Sequence, residues 1–289
     1  MLSQATRTEV IATARRDAHD CYLSALLAPM QAREDLLVLA AFEGELTRII
    51  ETVGEPMLAE IRLQWWRDTV SAMNGSHQSG HPVADALANL VAAGSVSTTS
   101  LLQSIDARSA DTGTEPIETD KDLNFYLDRT DGAALARAIS VTSAISGVVG
   151  PDRGLIEAAG RSVGLVRVLL DIARRRAAGW PLLLPISNEV VAANSEGQSE
   201  AVGSTDDPEL FAVQCRKYAD HALIYLDKVR PGWAEMSLWH RAALGPVALV
   251  GPYLQGLQRL GCLEPRPRGV ISPISRVTRL WWAVRFARL

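Results

Sequence analysis

The 289-residue chain has little cysteine and little histidine, and it has no long apolar run. Its three cysteines, Cys21, Cys215 and Cys262, are far apart, with no CxxC pair and no histidine at zinc spacing. That excludes a disulfide framework and a structural zinc site, and it points to a reducing compartment. No apolar stretch reaches the roughly 20 residues needed to span a bilayer. Arg7, Glu9, Arg15, Arg16 and Asp17 interrupt the start, so no secretory core is read there and a cytoplasmic protein is expected. His19, His77, His81, His221 and His240 show no ligand spacing. Also absent are the Gly-x-Ser-x-Gly elbow, the phosphate-binding P-loop and the dinucleotide fingerprint. Acidic residues stop at Glu264, whereas Arg266, Arg268, Arg276, Arg279, Arg285 and Arg288 follow it. The net charge of −4 thus divides into −10 on residues 1–264 and +6 on the tail. An acidic body with a basic end excludes a general nucleic-acid binder and fits local contact with an anionic surface.

What is present is alanine, leucine and helical spacing. Strict apolar–polar alternation is rare, so an all-helical fold is expected. A first helix is read over about 8–27, stopped by Pro29. A second starts near Arg33 and carries Leu36, Leu37, Leu39, Phe42, Leu46, Ile49 and Ile50 on a helical repeat, ending at Gly54-Glu55-Pro56. A third covers about 57–73 and is followed by a loop at 74–80, after which His81-Pro82 opens another helix. Further helical stretches lie near 98–109, 119–127, 131–148, 152–176, 208–228, 232–244 and 246–260. The polar, glycine-bearing segment at about 186–207 reads as a mobile loop. No internal repeat or long linker divides the chain, so one domain over 1–289 is expected, with a basic aromatic tail at 265–289.

Several segments follow one another in a telling order. Tyr22-Leu23-Ser24-Ala25-Leu26-Leu27 comes first, then Phe42-Glu43-Gly44-Glu45-Leu46-Thr47-Arg48-Ile49-Ile50-Glu51 and Glu60-Ile61-Arg62-Leu63-Gln64-Trp65-Trp66-Arg67. Leu101 to Arg108 with Asp111, Asp122 to Gly132, Gly164-Leu165 and Gly179 to Pro185 follow. This order resembles the squalene/phytoene synthase family, all-helical enzymes that join two prenyl diphosphates head to head. The resemblance covers about residues 18–260. It implies an isoprenoid-synthase-type bundle around a central cavity, with two aspartate-rich helices holding Mg²⁺ against diphosphate.

The metal chemistry is where the chain departs from that pattern. Mg²⁺ requires hard oxygen ligands, and Asp-x-x-x-Asp on a helix sets two carboxylates on one face. At the first motif stand Thr47, Arg48 and Glu51, with Thr47 and Arg48 where aspartates are expected. At the second, Asp171 is the sole carboxylate of Val168-Leu169-Leu170-Asp171-Ile172-Ala173-Arg174-Arg175-Arg176. Too few carboxylates are expected around the hollow to assemble a cation cluster. No residue is assigned to a metal and no cofactor is expected; Mg²⁺ enters only if the chain is an active prenyltransferase with Glu51 and Asp171 as unusual ligands. Glu43, Glu45 and Glu51 are acids of a kind more often solvated than ligating. Tyr22, Phe42, Arg48, Arg174 and Arg175 are the candidate ligand-binding residues. For Arg174 to Arg176 the commoner explanation is a solvated helix C-terminus complementing the dipole. Gly160 and Gly164 fit close helix packing.

The tail interleaves Ile274, Val277, Leu280, Trp281, Trp282, Val284 and Phe286 with arginines. Arg279, Trp281, Trp282 and Arg285 are its candidate membrane contacts, since tryptophan and arginine suit the headgroup boundary; the alternative is a final helix docked on the domain with its arginines in water. The Glu45–Ile49 and Glu60–Arg67 segments resemble a branch of the family without aspartate motifs, similar to a mitochondrial respiratory complex I assembly factor. The resemblance therefore implies a non-catalytic member that binds a lipid or isoprenoid, or serves a respiratory-complex protein partner, at a membrane. The alternatives are an active head-to-head prenyltransferase, or a structural partner whose cavity is filled by side chains.

Overall fold

The computed structural model describes residues 2–52, 55–73, 79–113, 117–185, 189–193, 199–204, 208–260 and 270–289. Most of the loop read at 74–80 lies outside the described residues, as do Gly54, Cys262, Glu264, Arg266 and Arg268. The helices run α1 Gln4–Asp17, α2 His19–Leu27, α3 Met30–Thr52, α4 Pro56–Ser71, α5 Pro82–Ala92 and α6 Thr98–Ala107. They continue with α7 Asp120–Leu127, α8 Ala133–Ser146, α9 Arg153–Ala178, α10 Pro208–Trp233, α11 Leu238–Ala243, α12 Val250–Leu260 and α13 Pro273–Phe286. Between α9 and α10, β1 Glu189–Ala193 pairs antiparallel with β2 Ser199–Ser204. The segment read as a loop over 186–207 therefore contains a short hairpin, consistent with Val190, Val191 and Val202. Its residues 186–188, 194–198 and 205–207 lie outside the described residues.

Local chemistry sets most of the boundaries. Ser3, Ser97, Thr119, Asp152, Ser237 and Ser272 each cap a helix N-terminus through the side chain. Pro56, Pro82 and Pro273 occupy first-turn positions, where a missing N–H costs nothing. Gly147 and Gly179 close α8 and α9 in the left-handed conformation.

Two departures from the sequence reading arise from tertiary packing. The helix expected over 8–27 breaks at Ala18, so α1 and α2 are separate. The break lies against Gly44 of α3, where a Cβ would come 3.0 Å from Asp17 Cβ. Between α7 and α8 the chain widens into a π-helical turn at Asp128–Gly132, which projects Thr130 and Asp131 into the interior. One contiguous apolar core joins α1 to α13, with Phe42, Leu46, Leu63, Trp66, Leu101, Leu127, Leu169, Phe211, Tyr218 and Trp233 buried in it.

Candidate functional site

The interior between α3 and α9 is built around two glycines. Gly160 lies against Gly132 of the π-turn, and a Cβ on Gly164 would come 2.8 Å from Asp131 Oδ2. Only glycine lets α9 approach this closely. Arg167, Asp171 and Arg175 lie on the same face of α9 as Gly160 and Gly164, at the helical repeat. The close approach therefore drives charged side chains inward.

They meet carboxylates and guanidinium groups from four other segments. Arg167 grips Asp131, with Nη2 2.8 Å from Oδ2, and donates to Tyr126 Oη at 3.0 Å. Tyr126 in turn donates to Asp111 Oδ1 at 2.8 Å. Arg175, only 1% exposed, donates to Asp111 Oδ1 at 2.9 Å, to Asp171 Oδ2 at 2.8 Å and to the Asp111 and Pro181 carbonyls. Arg174 completes the grip on Asp171 at 2.6 and 2.8 Å. On the α3 side, Arg137 donates to Glu43 Oε1 at 2.5 Å and to Ser104 Oγ. Arg108 links the two halves through longer contacts, 3.6 Å to Glu43 and 3.5 Å to Asp111. Its buried Nε has no hydrogen-bond partner.

Four carboxylates therefore converge here, Glu43, Asp111, Asp131 and Asp171, more than the aspartate motifs suggested. Each is held by at least one arginine. The expectation of too few carboxylates around the hollow is thereby corrected, because Glu43, Asp111 and Asp131 come from segments outside the two motifs. Among the described residues, no group of three or more His, Cys, Asp or Glu comes together in a way that could hold a metal ion.

Burial and pairing compete at each group. Burial alone would raise the Asp131 carboxyl, but Arg167, with Arg108 behind it, holds it below the usual carboxylate range. Burial opposes the charge on Arg167, yet Asp131, Tyr126 and Asp111 keep it well above its ordinary value. Burial pushes the Tyr126 phenol up, with Arg167 opposing and Asp111 adding. Burial, reinforced by Asp20, Glu43 and Asp131, pushes the Cys21 thiol to about 12, so it holds its proton at neutral pH.

The structure separates the residues singled out from sequence. Asp171, Arg174 and Arg175 enter the network. Glu51 lies near enough to favour the charge on Arg174, after burial and Asp171 have acted. Thr47 is half-buried and Arg48 exposed on the outer side of α3. Phe42 is fully buried, packed edge-on against Trp66 with ring centroids 5.3 Å apart, and Tyr22 stacks on His19. The solvated reading of Arg174 to Arg176 holds for Arg176, which is exposed over Phe211, and is corrected for Arg175. Sequence reasoning gave no site role to Arg108, Asp111, Arg137, Asp131 or Arg167. The signal for Arg167 was its place on the glycine-marked face of α9.

Beside Glu43 and Arg137, a cavity of about 40 Å³ lies between α2, α3, α8 and α11, bounded by Cys21, Ala25, Leu36, Leu39 and Ala243. It has room for about one water molecule. Ligand pockets run from roughly 300 Å³ upward. Among the described residues no helix is long and apolar enough to cross a membrane. The tail helix α13 buries Leu280, Ala283 and Val284 and leaves Ile274, Val277, Trp281, Trp282 and Phe286 exposed.

A family model described as squalene/phytoene synthase matches residues 14–273. The human protein named NADH dehydrogenase (ubiquinone) complex I, assembly factor 6 is 25% identical over 127 residues, 44% of this chain and 38% of that relative. The match thus spans well under half the length of that curated relative. Among solved structures, a dehydrosqualene synthase in complex with ligand superposes with a TM-score of 0.76 at 14% identity, over 98% of this chain and 96% of the other. Squalene synthase HpnC from Alicyclobacillus acidocaldarius gives 0.66 at 16% identity, over 88% and 94%. At these identities the likeness establishes the fold, an all-α isoprenoid-synthase-type helical bundle.

Proposed function

Since the chain belongs to the squalene/phytoene synthase family, we propose that it is a non-catalytic member, which keeps the bundle and serves assembly of a respiratory NADH dehydrogenase complex at the membrane. The observation that carries this reading is the pairing of Glu43, Asp111, Asp131 and Asp171 with arginine. Head-to-head condensation begins by ionising an allylic diphosphate, which needs divalent cations on free oxygen ligands and an apolar pocket for the chain. Here five guanidinium groups hold the oxygens of four carboxylates, so the interior carries no excess negative charge for a metal to neutralise. The cavity beside Glu43 and Arg137, at about 40 Å³, is itself too small for a prenyl chain. These features support an interior that acts as a keystone of the fold and a function carried on the surface.

The similarity to complex I assembly factor 6 supports a respiratory-complex partner. The basic, aromatic face of α13 supports peripheral contact with a membrane through Arg279, Trp281, Trp282 and Arg285. Deleting the gene in the native host is expected to reduce assembled NADH dehydrogenase on native gels and to leave prenyl products unchanged. An undiminished complex with loss of a prenyl product would refute the reading.

A further inference from the structure

The turn joining α2 to α3 and the outer side of α13 enclose a cleft of about 310 Å³, lined by Leu26, Leu27, Pro29, Arg33, Trp281 and Arg285 among others. Arg33 is half-buried, and its Nε donates to the Ala28 carbonyl at 2.8 Å. That bond fixes the guanidinium while its terminal N–H groups stay available. Arg285 is exposed on α13. Among the described residues, neither arginine has an ion-pair partner.

No carboxylate side chain lines the cleft among the described residues. Helix α13 contains no acidic residue. Asp20 is engaged with Arg276 and Tyr253, and Glu34 with Arg7. The helix itself is firmly seated: Trp233 donates to the Ala283 carbonyl at 3.1 Å, and Arg241 to the Val284 carbonyl at 3.0 Å. Its outward face therefore presents Ile274, Trp281, Trp282 and Phe286 on a fixed support.

We propose that this cleft holds the phosphate of an anionic phospholipid, with Arg33 and Arg285 as its donors and Leu26 and Trp281 against the start of the acyl chains. The proposal deepens the membrane part of the reading above and rests on it. Guanidinium groups match phosphate oxygens in pairs. Tryptophan beside them favours the headgroup boundary over bulk water. A free phosphate would use the arginines and leave the apolar wall unused, so the source is a lipid.

The test is flotation of the full chain with vesicles of phosphatidylcholine alone, or of phosphatidylcholine with phosphatidylglycerol. Binding is expected only when phosphatidylglycerol is present. Arg33→Gln and Arg285→Gln should each weaken it about fivefold, the effect of one interfacial arginine. Arg153→Gln, which removes an exposed arginine of α9, should leave it unchanged. Arg33→Gln also removes the bond to Ala28, so Arg285→Gln serves as the variant that leaves the turn intact. Failure to float with any vesicle would overturn the membrane reading and the cleft with it. Binding that survives both arginine substitutions, falls equally with Arg153→Gln, or is displaced by inorganic phosphate would overturn the cleft alone.

Discussion

Arg175 and Arg285 are the same residue type in opposite circumstances. Arg175 is sealed in the interior and bonded to two carboxylates and two carbonyls. Arg285 stands on the surface with no ion-pair partner among the described residues. An arginine in the interior is tolerated only when it is paired, because an uncompensated buried charge costs several kcal/mol. An arginine on α13 meets water at little cost and remains free to meet an anion. The two regions divide the molecule into an interior whose carboxylates are all paired with arginine and a tail in which Arg285 meets no carboxylate partner among the described residues.

The most damaging way to break this comparison is to unpair the interior. Asp111→Ala removes the carboxylate shared by Arg175, Arg108 and Tyr126, and it should cost about 3–5 kcal/mol. The readout is a lower denaturant midpoint with an unchanged slope. A loss under about 1 kcal/mol would show that the network is dispensable. Next in size, Gly164→Ala forces a methyl against Leu127 and Asp131 and should cost about 1–3 kcal/mol in the same assay.

A smaller effect is pH-dependent. His240 is buried, with Nε2 3.0 Å from Ser143 Oγ, and burial lowers its pKa. Its folded value lies below the unfolded value of about 6.5. Stability is therefore intact above that value and falls as pH drops from it toward the folded value. The depressed carboxyl of Asp131 acts in the same direction further down, below the ordinary carboxylate range. Unfolding compared at pH 7.5 and 5.5 should show a loss that His240→Gln largely abolishes. Smallest of all, Arg279→Gln and Arg285→Gln should change folding stability by no more than about 0.5 kcal/mol. A larger loss would mean that the tail arginines belong to the fold.

Much of the fold was legible because the chain punctuates its helices with local chemistry. Pro29, Pro56, His81-Pro82 and Gly179 stop or start helices wherever they stand. The break at Ala18 and the π-turn at Asp128–Gly132 were not legible, because contacts with Gly44 and Gly160 accompany them across the bundle. Of the residues that the sequence singled out at the two motifs, Thr47, Arg48, Glu51 and Asp171, it is Asp171 that the structure ties into the arginine network. The site's actual composition was not legible. Arg137 meets Glu43 across 94 residues and Arg175 meets Asp111 across 64, pairings that no local pattern encodes. The solvated reading of Arg174 to Arg176 failed at Arg175 for the same reason, since the carboxylate that buries it lies on another segment.

The most direct measurement is pyrophosphate release from farnesyl and geranylgeranyl diphosphate by the purified protein with Mg²⁺. The account predicts none above the buffer control. Steady release that disappears in Glu51→Ala or Asp171→Ala would contradict it.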